Sequence, residues 1–233
     1  MQLKQNFSEE HTADESDAGS IFIADKPLDY TSADVVRIFK KNLNLKKIGH
    51  AGTLDPKATG MLILCSGKKT KRINEFIEYD KEYEGIIRLG ATTKSFDTES
   101  EEENVLDSVE ITDDELLSVC NSFIGETEQI PPMYSAVKHK GKPLYKIARK
   151  GREVKREPRK IFISDFQVGR INSREINFVI SCSKGTYIRT IADDFGRKLG
   201  IGGYLKELRR IRIGEFRLEE LDLDLKGIKY RIC

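Results

Sequence analysis

What this 233-residue sequence lacks excludes two classes of protein. The longest uninterrupted apolar run covers only residues 61–65, which is far short of a membrane span. The amino terminus is acidic and has no apolar core, so it is not a secretory signal. We therefore expect neither a membrane-spanning nor a secreted protein.

Metal and nucleotide signatures are scarce as well. The four cysteines contain no C-x-x-C pair, which favours free thiols in a reducing compartment over disulfides or a zinc site. Only three histidines occur, so a histidine-based metal site is not expected. Ser66-Gly-Lys-Lys-Thr70 has the end of a phosphate-binding loop, but the preceding glycine is at 60 instead of 62. We expect a cytoplasmic protein without a metal and without a nucleotide loop.

The net charge is only +2, but acidic and basic residues are concentrated in different segments of the chain. Residues 101–130 contain ten acids and no Lys or Arg, whereas residues 131–170 contain twelve bases and three acids. Such a separation of charge indicates a polyanionic partner that binds the basic surface and is repelled by the acidic one. A basic hairpin that is merely solvated explains the pattern equally well. The bases are interleaved with Tyr134 and Tyr145, a mixture suited to contact with an RNA backbone and to base stacking.

The stretch His50-Ala-Gly-Thr-Leu-Asp-Pro-Lys-Ala-Thr-Gly60 is where we place the chemistry. It is too rich in Gly, Thr and Pro for the interior of a helix or strand, and short apolar segments flank it, as in a functional loop held by rigid elements. Asp55 is its only acid, and Pro56 biases Asp55 towards an extended backbone. An aspartate that only caps a turn is the alternative.

Elsewhere the sequence predicts alternating strands and helices. Strands are predicted at 21–24, 61–65, 81–90, 160–168 and 175–182. Helices are predicted at 31–43, 71–79, 113–124 and 190–199. Thr31 and Asp34 form a capping-box pattern, and Gly125 and Gly200 mark helix ends. Residues 1–20 are acidic and poor in large apolar side chains, which predicts a disordered tail.

Five ordered motifs between residues 21 and 216 resemble those of the pseudouridine synthases, most closely the bacterial stand-alone TruB-type family of tRNA pseudouridine(55) synthases. The motifs are Lys26-Pro-Leu-Asp-Tyr-Thr-Ser32, Gly49-His-Ala-Gly-Thr-Leu-Asp-Pro-Lys-Ala-Thr-Gly60, Ile130-Pro-Pro-Met-Tyr-Ser-Ala-Val-Lys138, Cys182-Ser-Lys-Gly-Thr-Tyr-Ile-Arg-Thr190 and the closing segment 204–216. Asp29 stands where the family usually has Gly, but Asp tolerates the left-handed backbone better than most residues.

The resemblance implies an α+β fold with a mixed, mainly antiparallel central sheet flanked by helices, in agreement with the predicted alternation. It implies a catalytic domain over 21–216, with an RNA-clamping basic hairpin at about 131–160. Bacterial relatives usually continue into a small C-terminal RNA-binding domain, whereas we expect only a short extension at 217–233.

The implied activity is the isomerisation of uridine to pseudouridine at position 55, in the T loop of tRNA, by base extrusion and without a cofactor. The expected partner is the T stem-loop of tRNA. No membrane contact and no obligate protein partner are expected, and the protein should be a monomer.

Pseudouridine formation requires a carboxylate nucleophile, at either C1′ of the ribose or C6 of the base, and we assign Asp55. The resemblance implies that Arg189 is the ion-pair partner of Asp55, keeping it ionised. Tyr83 would stack on the uracil. His50 would replace the extruded base in the stack. Tyr187 and Leu208 would line the base pocket. Lys26 and the bases of 138–160, Lys138 among them, would contact phosphates or order the site.

Two other functions remain open from the sequence. A glycoside hydrolase acting on nucleosides would need a second carboxylate, for which Asp97, Asp193 and Asp194 are candidates. A non-catalytic RNA-binding module could use the basic hairpin alone. That reading does not explain why the Asp55 and Arg189 motifs occur together.

Overall fold

The computed structural model describes residues 18–135, 137–139, 141–219 and 221–233. The predicted acidic tail therefore lies, over residues 1–17, outside the described residues. The described chain divides into two compact units. The first contains residues up to Pro56 together with 60–77 and 218–233, and the second contains 57–59 and 78–217.

The described residues form fifteen strands and five α-helices, and several of the strands follow one another directly in the chain. The strands are β1 Ile21–Lys26, β2 Ile48–Ala51, β3 Ala58–Ser66, β4 Lys81–Leu89, β5 Thr92–Thr93, β6 Glu102–Glu103, β7 Gly125–Gln129, β8 Lys138–His139, β9 Lys142–Pro143, β10 Arg159–Arg170, β11 Glu175–Cys182, β12 Gly203–Ile213, β13 Phe216–Arg217, β14 Leu223–Leu225 and β15 Ile228–Ile232. The helices are α1 Ser32–Asn42, α2 Ile73–Glu78, α3 Asp113–Asn121, α4 Leu144–Ala148 and α5 Ile188–Lys198, with a 3₁₀ helix at Gly67–Arg72.

The sheet of the first unit has the order β14-β15-β1-β3, and β2 also pairs with β3. Its strands run antiparallel. The turn between β14 and β15 consists of Lys226 and Gly227, both with positive φ, which is the conformation of a two-residue hairpin turn. The chain's last strand thus closes on its first, with Tyr230 opposite Ala24.

Helix α1 covers this sheet through an aromatic cluster. The Phe39 ring lies 5.5 Å from that of Phe22 and 5.0 Å from that of Tyr230, in edge-to-face contacts. The helix begins at the predicted capping box, in which Thr31 and Asp34 each accept a hydrogen bond from the other's backbone N–H. Apolar packing and the cap together fix where α1 starts, directly after the 26–32 motif.

The second unit contains an antiparallel sheet in the order β12-β4-β11-β10-β7. Helices α3 and α5 pack on it through four aromatic rings, those of Phe123, Phe166, Phe178 and Phe195. Helix α5 approaches the start of β12 very closely. A Cβ atom on Gly196 would lie 2.1 Å from backbone atoms of both Gly202 and Gly203, so only glycine fits there.

The α+β fold class with a mainly antiparallel sheet is confirmed, and all five predicted strands are present. One helix ends earlier than predicted. Helix α3 stops at Asn121 because Ser122, Phe123 and Ile124 each donate to the carbonyl three residues back, a tightened final turn. Gly125, with a φ of 106°, then begins a strand.

A second predicted helix begins later than expected, since residues 67–72 form a 3₁₀ helix before α2. Strands β2, β7, β12, β14 and β15 were not predicted. The domain boundaries taken from the resemblance stay a prediction, although residues 223–232 belong to the sheet of the first unit.

The four cysteines are free thiols, and burial raises the pKa of Cys182 to about 12 and those of Cys65 and Cys120 to about 11. Among the described residues, no cluster of His, Cys, Asp and Glu has the arrangement of a metal site. None of the helices in the described ranges is long and apolar enough to cross a membrane.

Candidate active site

Asp55 is half-buried in the connection between β2 and β3 of the first unit. The loop is shorter than predicted, because His50 pairs with Leu64 in one ladder and Gly60 pairs with Lys26 in another. Gly52, just after β2, has a φ of 79°, a left-handed conformation that few residues adopt without strain. The predicted catalytic loop therefore has both ends fixed in a sheet.

The residue before Asp55 is held by a serine side chain. The Ser32 hydroxyl accepts a hydrogen bond from the Leu54 N–H at 2.9 Å and donates to the Leu54 carbonyl at 3.1 Å. Ser32 is almost fully buried at the start of α1. Because both backbone groups of Leu54 are bound to one side chain, the peptide leading into Asp55 has a single orientation.

The residue after Asp55 is held from the 26–32 motif. The Pro56 carbonyl accepts from the Asp29 N–H at 2.9 Å and from Lys26 Nζ at 3.4 Å. Lys26 also donates to the carbonyls of Pro27 and Tyr30, at 2.9 and 2.6 Å, and is completely buried. A buried ammonium bound to backbone carbonyls favours the second of its predicted roles, ordering the site.

Asp29 adopts the conformation expected for the glycine that the family usually has. Its φ is 64°, in the left-handed region. The departure from the family motif therefore leaves the turn intact, and the Asp29 N–H still reaches Pro56.

In the second unit, Tyr83 and Leu208 lie on one face of the sheet. Tyr83, on β4, is opposite Arg210 of β12, and Leu208 is opposite Gly85. Directly opposed residues share a face, as do residues two apart along a strand, so Tyr83 and Leu208 are diagonal neighbours. The structure thus brings together two residues predicted to contact the target base.

Two irregularities in β12 flank Leu208. The register against β4 shifts between Leu205 and Glu207 and again between Arg210 and Arg212. Bulges of this kind re-aim side chains and are frequent beside active sites. They set the direction of the short segment that carries Leu208.

Arg189 is the second residue of α5, and its side chain is 5% exposed. Nη1 donates to the Ser95 carbonyl at 3.2 Å, and Nη2 donates to the Tyr134 carbonyl at 2.8 Å. Its Nε lies 3.5 Å from Oδ2 of Asp97, whose side chain is 4% exposed. The guanidinium therefore joins the 90–97 loop to the segment that opens the basic hairpin.

Asp97 is itself held rigidly. Its Oδ1 accepts from the Ser95 hydroxyl at 2.6 Å and from the Glu99 N–H at 2.9 Å, and its backbone carbonyl accepts from the Thr93 hydroxyl. The loop thus presents a fixed, buried carboxylate to Arg189. Arg189 and Asp55 belong to different units, and the ion pair predicted between them stays a proposal.

Tyr187 is the N-cap residue of α5 and is half-buried. The guanidinium carbon of Arg159 lies 5.7 Å from the centre of its ring, within the range of a cation–π contact. Tyr187 and Arg189 therefore both lie at the amino-terminal end of α5.

The basic hairpin contains the short pair β8–β9, in which Lys138 is opposite Pro143, followed by α4. The side chain of Lys138 lies outside the described part of the structure. Lys142, Lys150 and Arg152 are exposed, as a phosphate-contacting surface requires.

The other carboxylates considered for a hydrolase are held by α5 itself. Asp193 and Asp194 both pair with Arg197, one turn further along the helix. Burial raises the pKa of each above the usual value of an aspartate. They serve the helix as i,i+4 and i,i+3 ion pairs.

Chemically, the first unit contains a carboxylate on a rigid loop, and the second contains a buried guanidinium and a phenol. A fixed carboxylate is suited to act as a nucleophile, and a guanidinium is suited to keep an anion ionised. Sequence reasoning gave no functional role to Ser32, Ser95 or the Tyr134 carbonyl. Ser32 and Tyr134 lie within the matched motifs, which was the available signal.

Comparison with known proteins agrees with the sequence and the fold. Residues 40–188 match the TruB family pseudouridylate synthase (N terminal domain), and residues 189–230 match the tRNA pseudouridylate synthase B C-terminal domain. The chain is 50% identical over 210 residues to tRNA pseudouridine synthase B of Chlorobaculum tepidum, covering 88% of both chains. It is 47% identical to the enzyme of the same name from Opitutus terrae, covering 88% of this chain and 85% of that one.

Solved structures similar to the chain include a Cbf5-Nop10-Gar1 complex, with a TM-score of 0.69 and 32% identity over 87% of this chain. Another is an H/ACA RNP bound to a substrate RNA containing 2'-deoxyuridine, with a TM-score of 0.67 and 26% identity over 91% of this chain. The chain spans 51% and 53% of the lengths of those two solved chains.

Proposed function

Because the chain belongs to the TruB family of pseudouridylate synthases, we propose that it isomerises uridine 55 in the T loop of tRNA, with Asp55 as the nucleophile. Membership of the family makes the chain a tRNA-modifying isomerase. The proposal adds the position in tRNA and the residues that act.

The observation that carries the assignment of Asp55 is the bracing of its two neighbours. Ser32 binds both backbone groups of Leu54, and the Pro56 carbonyl accepts from Lys26 and Asp29. Rigid placement is what a nucleophile needs, since misplacement by about 1 Å can slow a reaction about a hundredfold. A surface aspartate that only capped a turn would not need bracing on both sides.

The reaction breaks the N1–C1′ bond of the uridine, turns the base and joins C5 to C1′. The C5 proton then leaves to water, and N1 gains a proton, so atoms balance and no redox step occurs. Asp55 attacks either C1′ or C6 and is released when the new bond forms. Arg189 keeps the attacking carboxylate ionised, and Tyr83 stacks on the uracil.

The uridine must leave its stack to reach Asp55. His50, which lies in β2 beside the loop, takes the place of the extruded base and offsets part of the few kcal/mol that extrusion costs. Tyr187 and Leu208 line the pocket for the base. Exposed bases of the hairpin, with Lys138, hold the RNA backbone.

The proposal also places the enzyme in the cytoplasm, as a monomer without an obligate protein partner. Its bacterial relatives are named tRNA pseudouridine synthase B, a name that describes an enzyme acting on tRNA. A partner requirement would appear as inactivity of the purified chain that a cell extract restores.

The test is incubation of the purified protein with a tRNA transcript tritiated at uracil C5. Isomerisation at position 55 releases tritium to water and leaves the RNA chain intact, whereas a hydrolase releases free uracil and a binding module releases neither. Asp55→Asn should abolish release while tRNA affinity stays within about threefold, because phosphate and stacking contacts supply most of the affinity.

A matched control is the exposed Asp222→Asn, which should release tritium at the wild-type rate. Retention of substantial activity by Asp55→Asn would contradict the assignment of the nucleophile. Release from a transcript in which uridine 55 is replaced by cytidine would contradict the assigned position.

A further inference from the structure

Gln129 is a buried amide that directly precedes the motif at residues 130–138. It is the last residue of the edge strand β7 and is 2% exposed. Its Nε2 donates to the Tyr187 carbonyl at 3.0 Å, and its Oε1 accepts from the Tyr187 N–H at 2.8 Å. One side chain thus binds both backbone groups of a residue 58 positions away.

The two hydrogen bonds resemble those that a peptide group makes to the next strand of a β-sheet. Tyr187 is extended, with φ −95° and ψ 106°, and the Gln129 amide pairs with it as a neighbouring strand's peptide would. The Tyr187 carbonyl also accepts from the N–H groups of Thr190 and Ile191, which begin α5. The side chain of Tyr187, the N-cap residue, makes no capping hydrogen bond. The Gln129 amide instead binds the backbone of Tyr187 where α5 begins.

The neighbours of Gln129 contact the same helix terminus. Arg159, its cross-strand partner in β10, places its guanidinium over the Tyr187 ring. Five residues beyond Gln129, the Tyr134 carbonyl accepts from Arg189. The segment that leads into the basic hairpin therefore holds the backbone of Tyr187 at one point and the side chain of Arg189 at another.

We infer that Gln129 is a positioning residue of the isomerisation, holding the start of α5 so that Tyr187 and Arg189 stand in their working places. The inference rests on the proposed function. The two hydrogen bonds of the Gln129 side chain go to backbone atoms of Tyr187, so its effect on the reaction passes through Tyr187 and α5.

Two substitutions separate the hydrogen bonds from the volume of the side chain. Gln129→Met keeps the length and loses both hydrogen bonds. Gln129→Glu keeps the acceptor for the Tyr187 N–H, but its carboxylate cannot donate to the Tyr187 carbonyl until it is protonated. Burial favours the protonated form of the introduced carboxyl, and the positive charge of the neighbouring Arg159 opposes it. We expect burial to prevail, so that acid restores the donor.

We expect both variants to lower the single-turnover rate constant at neutral pH by about ten- to a hundredfold, the scale of a misplacement of about 1 Å. The Kd for tRNA should stay near wild type, and both variants should stay folded at the assay temperature, with a melting temperature that is lowered because polar groups are left buried without hydrogen-bond partners. The rate of Gln129→Glu relative to wild type should recover as pH falls from about 8 to about 5.5, whereas Gln129→Met should not recover. The matched control is Glu128→Gln, an exposed neighbour in the same strand, with the wild-type rate expected.

Wild-type protein that fails to release tritium from uridine 55 would reject the proposed function, a result distinct from any comparison of variants. With active wild type, an unchanged rate for Gln129→Met overturns the inference. So does a Gln129→Glu rate that stays low, relative to wild type, at every pH. Loss of folding in both variants would also overturn it, since Gln129 would then be a structural residue.

Discussion

Arg189 and Asp97 form a buried ion pair, with 3.5 Å between Nε and Oδ2 and both side chains about 95% removed from solvent. The pair lies between a helix terminus and a loop, and two backbone carbonyls, those of Ser95 and Tyr134, also accept hydrogen bonds from the guanidinium. The orientation of Arg189 is therefore decided by Asp97, Ser95 and Tyr134 before any substrate binds.

Asp97→Asn should destabilise the protein as well as slow it. The amide keeps an acceptor for Ser95 and Glu99 but turns an uncharged NH2 group towards Arg189, leaving a buried cation without that partner. Breaking a buried pair costs about 3–5 kcal/mol, which urea denaturation should show as a lower free energy of unfolding. The exposed Asp113→Asn, which breaks the surface pair with Arg170, should change stability by no more than about 1 kcal/mol. Equal effects of the two substitutions would contradict the importance of burial.

Arg189→Lys should lower the single-turnover rate by orders of magnitude. Lysine keeps the charge, but its single nitrogen cannot reach Asp97, the Ser95 carbonyl and the Tyr134 carbonyl in the directions that the planar guanidinium does. Arg170→Lys is the control, because Arg170 makes a similar carboxylate and carbonyl contact at the surface. A rate for Arg189→Lys close to that of the control would mean that charge alone suffices.

The exposed bases of the hairpin should account for much of the salt dependence of tRNA binding. Replacing Lys142, Lys150 and Arg152 together with Ala should weaken binding, and each lost phosphate contact should reduce the slope of log affinity against log salt by about 1. Replacing the exposed Lys40 and Lys41 of α1 is the control. An unchanged slope in the hairpin variant would place the RNA on another surface.

Lys81 should make stability depend on alkaline pH. Burial, reinforced by the positive charge of Arg210, lowers the pKa of Lys81 to about 8 from its ordinary 10.5. Between those values the unfolded chain holds a proton that the folded chain has lost, so the contribution of Lys81 to the free energy of unfolding should rise with pH in that window. Above about 9 the raised pKa values of Cys65, Cys120 and Cys182 act in the opposite direction, so the contribution is measured as the difference between wild type and a Lys81 variant. Below a pH of about 8, Lys81 is charged in the folded state, and the free energy of unfolding is reduced by the full cost of burying that charge.

In Lys81→Met that rise should be absent when denaturation midpoints are compared across the same pH range. The exposed Lys184→Met should keep it. A Lys81→Met curve that runs parallel to the wild-type curve between about 8 and 10.5 would contradict the lowered pKa.

Local chemistry explains how much of this fold was predictable. The capping box at Thr31 and Asp34 and the turn at Asp29 follow from rules that concern a few adjacent residues, and both were predicted correctly. The C-terminal hairpin was missed although 221–232 alternates apolar and polar residues, a strand signal. Reading that segment only as an extension of a family domain hid its own pattern.

The bracing of the site was beyond prediction for a different reason. Ser32 reaches Leu54 across 22 residues, and Gln129 reaches Tyr187 across 58. Such contacts depend on how the strands and helices pack, which no local pattern of residues encodes. Motif resemblance named the residues expected to react, whereas the residues that hold them in place came from the structure.

The close approach at Gly196 matters for anyone who sets out to make this enzyme more heat-resistant. Exchanging a mid-helix glycine for alanine ordinarily favours the helix by about 1 kcal/mol, so generic stabilisation schemes would rank Gly196→Ala highly. Here the added methyl group would meet the backbone of Gly202 and Gly203 at 2.1 Å and push α5 away from β12. A gain in helix preference would then be traded against the alignment of Arg189 at the helix's other end, and a screen that scores only melting temperature would miss the loss of turnover.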